Sequence, residues 1–401
     1  MSWRVTFWSI VAIQAVSAAS FSIALPFMPL FLQQIGVHPL SEVERWSGII
    51  GSANFLTAAL FAPLWGTLAD KFGRRAMVIR SSVGGAITTA LIGLSGNVWQ
   101  LVGTRALMGA FGGFSSAATA LVAATVPGSM LGFALGWMAT AQMTGIMIGP
   151  IVGGFIADVA HSYRAVFFYS AAGIVVAAIV TTLFVREDFV PKPRDDKMPS
   201  SRRQLLEILR HPELLPLLIL LGLSQMTAVA LSPIVPLFVQ NMVGASPYLA
   251  TFAGAAFAVT GIGDLVASPF LGKRSDQIGY RKIVLICLVG AGAFTIPQAF
   301  VHNVWVFLAL RFGVGVFLGG IVPTANAWIG RLFPSEKRGM VYGLSFSASF
   351  MGMFVGPLFG GFLAASLGFG SVFLVTGGLM LANVFWVLFG IRPVDVKRGW
   401  G

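Results

Sequence analysis

Three ionisable residues stand deep inside long apolar stretches: Arg105, Asp264 and Arg311. Asp264 is the one carboxylate of fourteen acidic residues expected well inside a helix; the others fall in or beside connecting segments. A carboxyl whose exposure to water changes binds and releases a proton as it does so. Gly261, Asp264, Ser268 and Gly272 recur at i, i+3/i+4 spacing and share one small, polar helix face. Two plainer roles fit the same position: an ion pair with Lys273 or Arg274, or a water-facing site near the end of the span. An arginine at mid-helix costs about 2.5–3.5 kcal/mol on insertion scales. Arg105 and Arg311 must therefore face the bundle interior or a wet cavity, or donate to backbone carbonyls near an interface.

The elements that carry these residues follow from composition. The chain has 401 residues, 56% hydrophobic and only 10% charged, with a mean hydropathy of +0.85. Soluble domains carry about 25% charged residues. A core of this size cannot hide so much apolar surface, so the surplus faces lipid. Twelve apolar runs can be drawn, at 5–32, 47–69, 76–95, 100–125, 132–157, 165–185, 213–238, 248–271, 281–300, 304–329, 340–365 and 371–391. Each is long enough to cross a ~30 Å hydrocarbon core as a helix. The fold class expected is an all-α integral membrane protein. A β-barrel would instead alternate weakly over ~10-residue segments.

The net charge of +12 does not point to nucleic acid, because of where it lies. With the N-terminus on one side, 22 of the 26 basic residues fall on that side's loops; the exceptions are Arg45, Arg105, Arg164 and Arg311. This is the positive-inside pattern, which places both termini in the cytoplasm. The one cysteine, Cys287, excludes a disulfide framework or thiolate metal site. Its four histidines fall in loops or the linker with no metal spacing, and no cofactor is expected. The start, with Arg4 and small residues 15–18, imitates a signal peptide. The apolar run continues to Leu32, however, and its Pro26 and Pro29 recur as Pro233 and Pro236, so the segment reads as retained structure.

That recurrence is general. Gly66, Asp70, Gly73 and Arg75, with Arg74 beside them, form a charge island in a short loop, and Gly272, Asp276, Gly279 and Arg281 repeat it 206 residues later. Arg105, Gly109 and Gly113 match Arg311, Gly315 and Gly319; Gly145, Gly149, Pro150 and Gly153–Gly154 match Gly352, Gly356, Pro357 and Gly360–Gly361. The offset of 206 or 207 throughout means two copies of one six-helix unit. The domains expected are 1–185 and 213–401, joined by a cytoplasmic linker at 186–212 rich in charge, proline and serine. Leu205–Leu209 could form a short amphipathic helix there. Two such units with a site between them are an alternating-access arrangement.

These motifs resemble the major facilitator superfamily, and within it the twelve-helix drug:proton antiporters, over nearly the whole chain. The resemblance implies two pseudo-symmetric six-helix bundles and proton-coupled efflux of lipophilic small molecules by a monomer, with protons and the lipid bilayer as its other partners. It implies that Asp70 and Arg75 act as a gate, latching onto the other half when the outer side is open. Gly145, Gly149, Pro150, Gly356 and Pro357 combine close packing with a hinge or seal. Cavity candidates, beside Arg311, are Gln14, Phe21, Met28, Asn54, Gln142, Gln225, Ser232 and Asn326. The chain departs from family members that carry an acid in helix 1, which here has Gln14 and Ser17 instead. A wealth of Phe (34) and Met (15) suits an adaptable apolar cavity. No phosphate-binding loop, HExxH, GxSxG or interior carboxylate pair supports ATP-driven pumping or an enzyme. The alternatives are a transporter of one defined solute, such as a sugar or a lipid, and a receptor without transport.

Overall fold

The computed structural model of the protein describes residues 3–187, 189 and 208–391. Its described residues form twelve helices long and apolar enough to span a membrane. In order they are α1 (Trp3–Ile23), α2 (Leu40–Phe72), α3 (Arg74–Leu94), α4 (Val98–Thr125), α5 (Gly128–Ala160) and α6 (Tyr163–Phe184). The second set is α7 (Leu214–Val243), α8 (Leu249–Ile278), α9 (Tyr280–Phe300), α10 (Val304–Leu332), α11 (Lys337–Leu367) and α12 (Phe369–Gly390). The amphipathic helix expected at 205–209 and most of the linker lie outside the described residues.

Three helices are interrupted where their sequences demand it. After α1 the chain passes through a 3-10 turn (Leu25–Phe27) into a short helix (Met28–Gln34). Pro26 and Pro29 remove two backbone donors there. Helix α7 breaks at the equivalent place, between Ala230 and Val235. Helix α4 breaks at Gly113, whose φ of +97° is open to glycine and strained for other residues.

The structure corrects two boundaries. Helix α2 starts at Leu40, not near 47: Glu42 occupies its first turn and receives Arg45 at 2.8 Å. Glu44, expected in a loop, is therefore helical and only 4% exposed. The charge island is likewise not a loop. Gly66 to Phe72 complete α2 and Arg74 opens α3, leaving Gly73 alone as the corner; Gly279 does the same between α8 and α9.

The duplication is visible atom by atom. Gly145 and Gly149 lie so close to α1 that an added Cβ would stand 2.5 Å from the carbonyl oxygens of Ala15 and Ala19. Gly352 and Gly356 approach the carbonyls of Gly222 and Met226 on α7, the residues 207 positions further on. Small residues at these four places let backbones touch within each half.

Among the described residues, packing between the halves is confined to one end. One buried cluster draws on both halves, from Phe27, Phe31 and Ile50 to Phe238, Phe307 and Phe373. It lies toward the face opposite the basic loops. Nearer the basic face the core divides in two, one cluster for each half. Helix α2 makes the contrast plain. Val43 and Ile50 are fully buried, whereas Ala59 to Leu64 are all exposed, a run longer than one turn and so exposed around the whole circumference. A Cβ added at Gly66, Gly132, Gly136, Gly272, Gly339 or Gly343, all toward the basic ends of α2, α5, α8 and α11, would meet nothing within 4 Å. The molecule is open on its basic face and shut on the other.

Candidate functional site

The helix breaks and the divided core create a cavity of about 320 Å³ between the halves. Met28 and Pro29 border it from the start of the short helix after α1, and Ser232 and Pro233 from the break in α7. Phe55, Ile146, Phe257 and Leu318 contribute to its apolar wall. Arg105, Asp264 and Arg311 also line it, so the three ionisable residues singled out in the sequence converge on one space.

The two arginines occupy equivalent positions in α4 and α10 and are 7% and 6% exposed. Their Nε atoms are buried without an acceptor among the described residues. Arg105 Nη1 lies 3.5 Å from the Met108 sulfur, a weak acceptor. Neither guanidinium donates to a backbone carbonyl among the described residues, as the interface alternative would require. Asp264 is partly buried and makes no ion pair among the described residues; Arg274, one of its alternative partners, instead donates to Gln277 at 3.0 Å. Gly319 of α10 packs against the Asp264 carboxylate and backbone, and Gly315 against Thr260. These glycines draw α10 onto α8 and seat the acid in the wall between them.

Of the other cavity candidates, Met28 and Ser232 line the space. Gln14 is fully buried and donates to Ser115 at 2.9 Å, bracing α1 against the lower half of α4. Phe21 packs over Gly85 and beside Phe114. Asn54 lies where Gly109 presses onto α2. Gln142 and Gln225 are partly buried away from the cavity lining, and Asn326 keeps a buried, unpaired Oδ1 in α10.

The charge island is held within its own half. Glu187, from the segment after α6, accepts the Arg74 and Arg75 amides at 3.1 and 2.7 Å and so caps α3. Arg75 Nη2 donates to the Thr182 carbonyl at 2.8 Å, and Arg281 Nη2 to the Leu388 carbonyl at 2.6 Å. Each ties its corner to the end of α6 or α12. Asp276 accepts from Tyr280 at 2.6 Å and Arg331 at 3.1 Å, while Asp70 is exposed. Among the described residues neither aspartate bonds to the other half, in keeping with a basic face that stands open.

Sequence reading missed the residues that shut the opposite face. Gln33 and Gln240 exchange two side-chain hydrogen bonds, at 3.0 and 2.9 Å. Ser52 donates to the Phe354 carbonyl at 2.6 Å. Asp158 of α5 accepts from the first turn of α8. The glutamines had a signal, since they are 207 residues apart, the repeat offset itself.

Comparison with known proteins agrees with this architecture. The family model described as Major Facilitator Superfamily matches residues 10–263 and 217–400. Multidrug resistance protein MdtG of Salmonella typhimurium (strain LT2) is 35% identical over 378 residues, covering 94% of this chain and 93% of its own. The MdtG protein of Dickeya zeae (strain Ech586) is 35% identical over 377 residues, covering 94% and 92%. Among solved structures, a variant of the nucleoside transporter NupG superposes with a TM-score of 0.80 at 10% identity, over 98% of this chain and all of that one. A bacterial homologue of the lysosomal transporter Spinster, inward-facing and occupied, gives 0.74 at 15% identity, over 96% and 94%. Two bundles repeated in sequence and in space, a cavity between them and a family model matching nearly end to end all agree: the chain is a multi-pass membrane transporter of the major facilitator superfamily.

Proposed function

We propose that the protein exports lipophilic small molecules in exchange for protons, with Asp264 as the group that takes up and releases the proton. The observation that carries this reading is the placement of Asp264, without an ion-pair partner among the described residues, in the same cavity wall as Arg105 and Arg311. When Asp264 gives up its proton toward the basic face, the apolar wall is free to take cargo. When the cavity opens the other way, protonation of Asp264 accompanies cargo release. Alternating access prevents both sides from opening at once. The similarity to MdtG proteins supports lipophilic cargo. The 22 basic residues of one face support a bacterial cytoplasmic membrane with both termini inside. In the opposite state the corners at Gly66–Arg75 and Gly272–Arg281, now apart, would close the basic face with Asp70 and Arg75 as its gate.

A narrower reading also has an observation behind it. Two arginines against one aspartate leave the cavity with a positive balance when all are ionised, which suits cargo bearing an anionic or acceptor group over cationic dyes. The experiment is efflux by purified protein in liposomes with an imposed pH gradient, across cationic, neutral and anionic lipophiles. Flux indifferent to the gradient, or uptake of a single solute only, refutes the proposal. Asp264→Asn should abolish gradient-driven flux while sparing cargo binding, and a variant with full gradient-driven efflux removes Asp264 from the role.

A further inference from the structure

The shut face is sealed by two helix crossings related by the internal repeat, α5 against α8 and α2 against α11. Both rest on glycine. A Cβ on Gly154 would stand 2.5 Å from the Ala250 carbonyl oxygen, and one on Gly361 2.5 Å from the Glu44 carbonyl oxygen. Only the α5–α8 crossing carries a charged contact between the halves among the described residues. Asp158 Oδ1 accepts the Ala250 amide at 3.0 Å; Oδ2 accepts the Thr251 amide at 2.8 Å and the Thr251 hydroxyl at 2.5 Å. Tyr248, at the N-cap of α8, provides no side-chain cap of its own. The positive end of this helix is therefore capped from the other half of the molecule, by a residue more than 90 positions away. A carboxylate on first-turn amides combines charge-assisted hydrogen bonds with the helix dipole. The repeat offers no duplicate, since Ala365 stands in α11 where Asp158 stands in α5.

We propose that Asp158 is the latch of the transport cycle on the face opposite the basic loops: its grip on the N-terminus of α8 holds that face shut, and cargo leaves there only once the grip is broken. The three bonds run between bodies that must separate, so they exist in one state and are lost in the other. An interaction made in one state alone shifts the equilibrium by its full worth. The glycines of α5 and α11 that pack on α1 and α7, and so bind each half to itself, are indifferent to the state. The inference rests on the family and its alternating access, and on neither the proton nor the cargo assigned above.

The test reads both faces at once by pulsed electron paramagnetic resonance distances in liposomes. One spin-label pair goes at Gln100→Cys and Val306→Cys, at the shut ends of α4 and α10. The other goes at Phe72→Cys and Ile278→Cys, at the basic ends of α2 and α8. Cys287 is fully buried and stays. Asp158→Asn should raise the ratio of molecules open on the shut face about tenfold, equivalent to about 1.4 kcal/mol. The first distance lengthens as the second shortens. A loss of packing without a latch would broaden both distributions and shift neither. Thr251→Val, which removes one bond of three, should move both distances the same way by less, and serves if Asp158→Asn does not fold. Unchanged distances in a folded Asp158→Asn protein, or a Thr251→Val shift in the opposite sense, overturn the proposal.

Discussion

Gly153 and Gly154 are neighbours in one motif, yet an alanine at each should do different things. At Gly154 the added Cβ would lie 2.5, 2.7 and 2.8 Å from the Ala250 oxygen, the Thr251 Cα and the Ala250 carbonyl carbon. All three are backbone atoms of α8 in the other half, and none can rotate away. Carbon contacts settle at about 3.5–4.0 Å, so the helices must part by roughly an ångström. Overpacking of this kind costs about 1–3 kcal/mol. The gain in helix propensity from Gly to Ala, about 1 kcal/mol, is equal in both states and cancels. Gly154→Ala should therefore multiply the population open on the shut face by about 5–150-fold. At Gly153 the clash is with the Ile23 carbonyl and the Phe27 ring, inside the first half. Those contacts persist through the cycle, so Gly153→Ala should lower the melting temperature and leave the populations alone. The assay is labelling of Ser52→Cys by a membrane-impermeant maleimide; Ser52 is 2% exposed at the α2–α11 crossing. The labelling rate should rise with Gly154→Ala and hold with Gly153→Ala. Equal rates in a folded Gly154→Ala protein, or an equal rise in both variants, would refute the reasoning.

Two further outcomes concern the basic face. Glu187→Ala strips two amides of their cap at the start of α3 and should cost about 1–2 kcal/mol, read as a lower melting temperature in detergent. A pH effect is expected at His211, whose ring packs 5.0 Å from Phe333 and whose Nδ1 accepts the Glu213 amide at 3.4 Å. Burial pushes its pKa below the ordinary 6.5, so the fold favours the neutral ring. That contribution is present above about pH 6.5 and lost as pH falls through the folded value. Thermal melts between pH 7.5 and 5 should drop less in His211→Gln than in the parent, and parallel curves would exclude the residue.

The sequence carried the twelve spans because lipid imposes long apolar runs that few other structures need. It carried the repeat because the glycines, the proline and the motif charges of Gly66–Arg75, Arg105–Gly113 and Gly145–Gly154 recur at one constant offset. Arg105, Asp264 and Arg311 each stood out, since a charge at that depth has few places to go, but that they line one cavity came only from the fold. The α2 start escaped because hydropathy marks where lipid begins, and a helix with Glu42 and Arg45 in its first turns rises beyond the bilayer. Gln142 and Gln225 looked like cavity residues because helical periodicity gives a face without saying which neighbour meets it. Asp158 had no signal at all. Its partner is the end of a helix, made of backbone amides that every sequence contains, brought close only by the fold.

The contact between Gln33 and Gln240 has a further consequence. Each is the other's counterpart in the repeat, so the pair sits on the pseudo-twofold axis and is isologous, as the centre of a homodimer interface is. Elsewhere on the shut face a substitution alters one copy of a contact and leaves the related crossing intact. On the axis there is no second copy. Each amide both donates and accepts, so changing either glutamine removes both bonds at once. A cycle latched by Asp158 on one side only thus also makes and breaks, on its axis, a symmetric contact that no single substitution can halve.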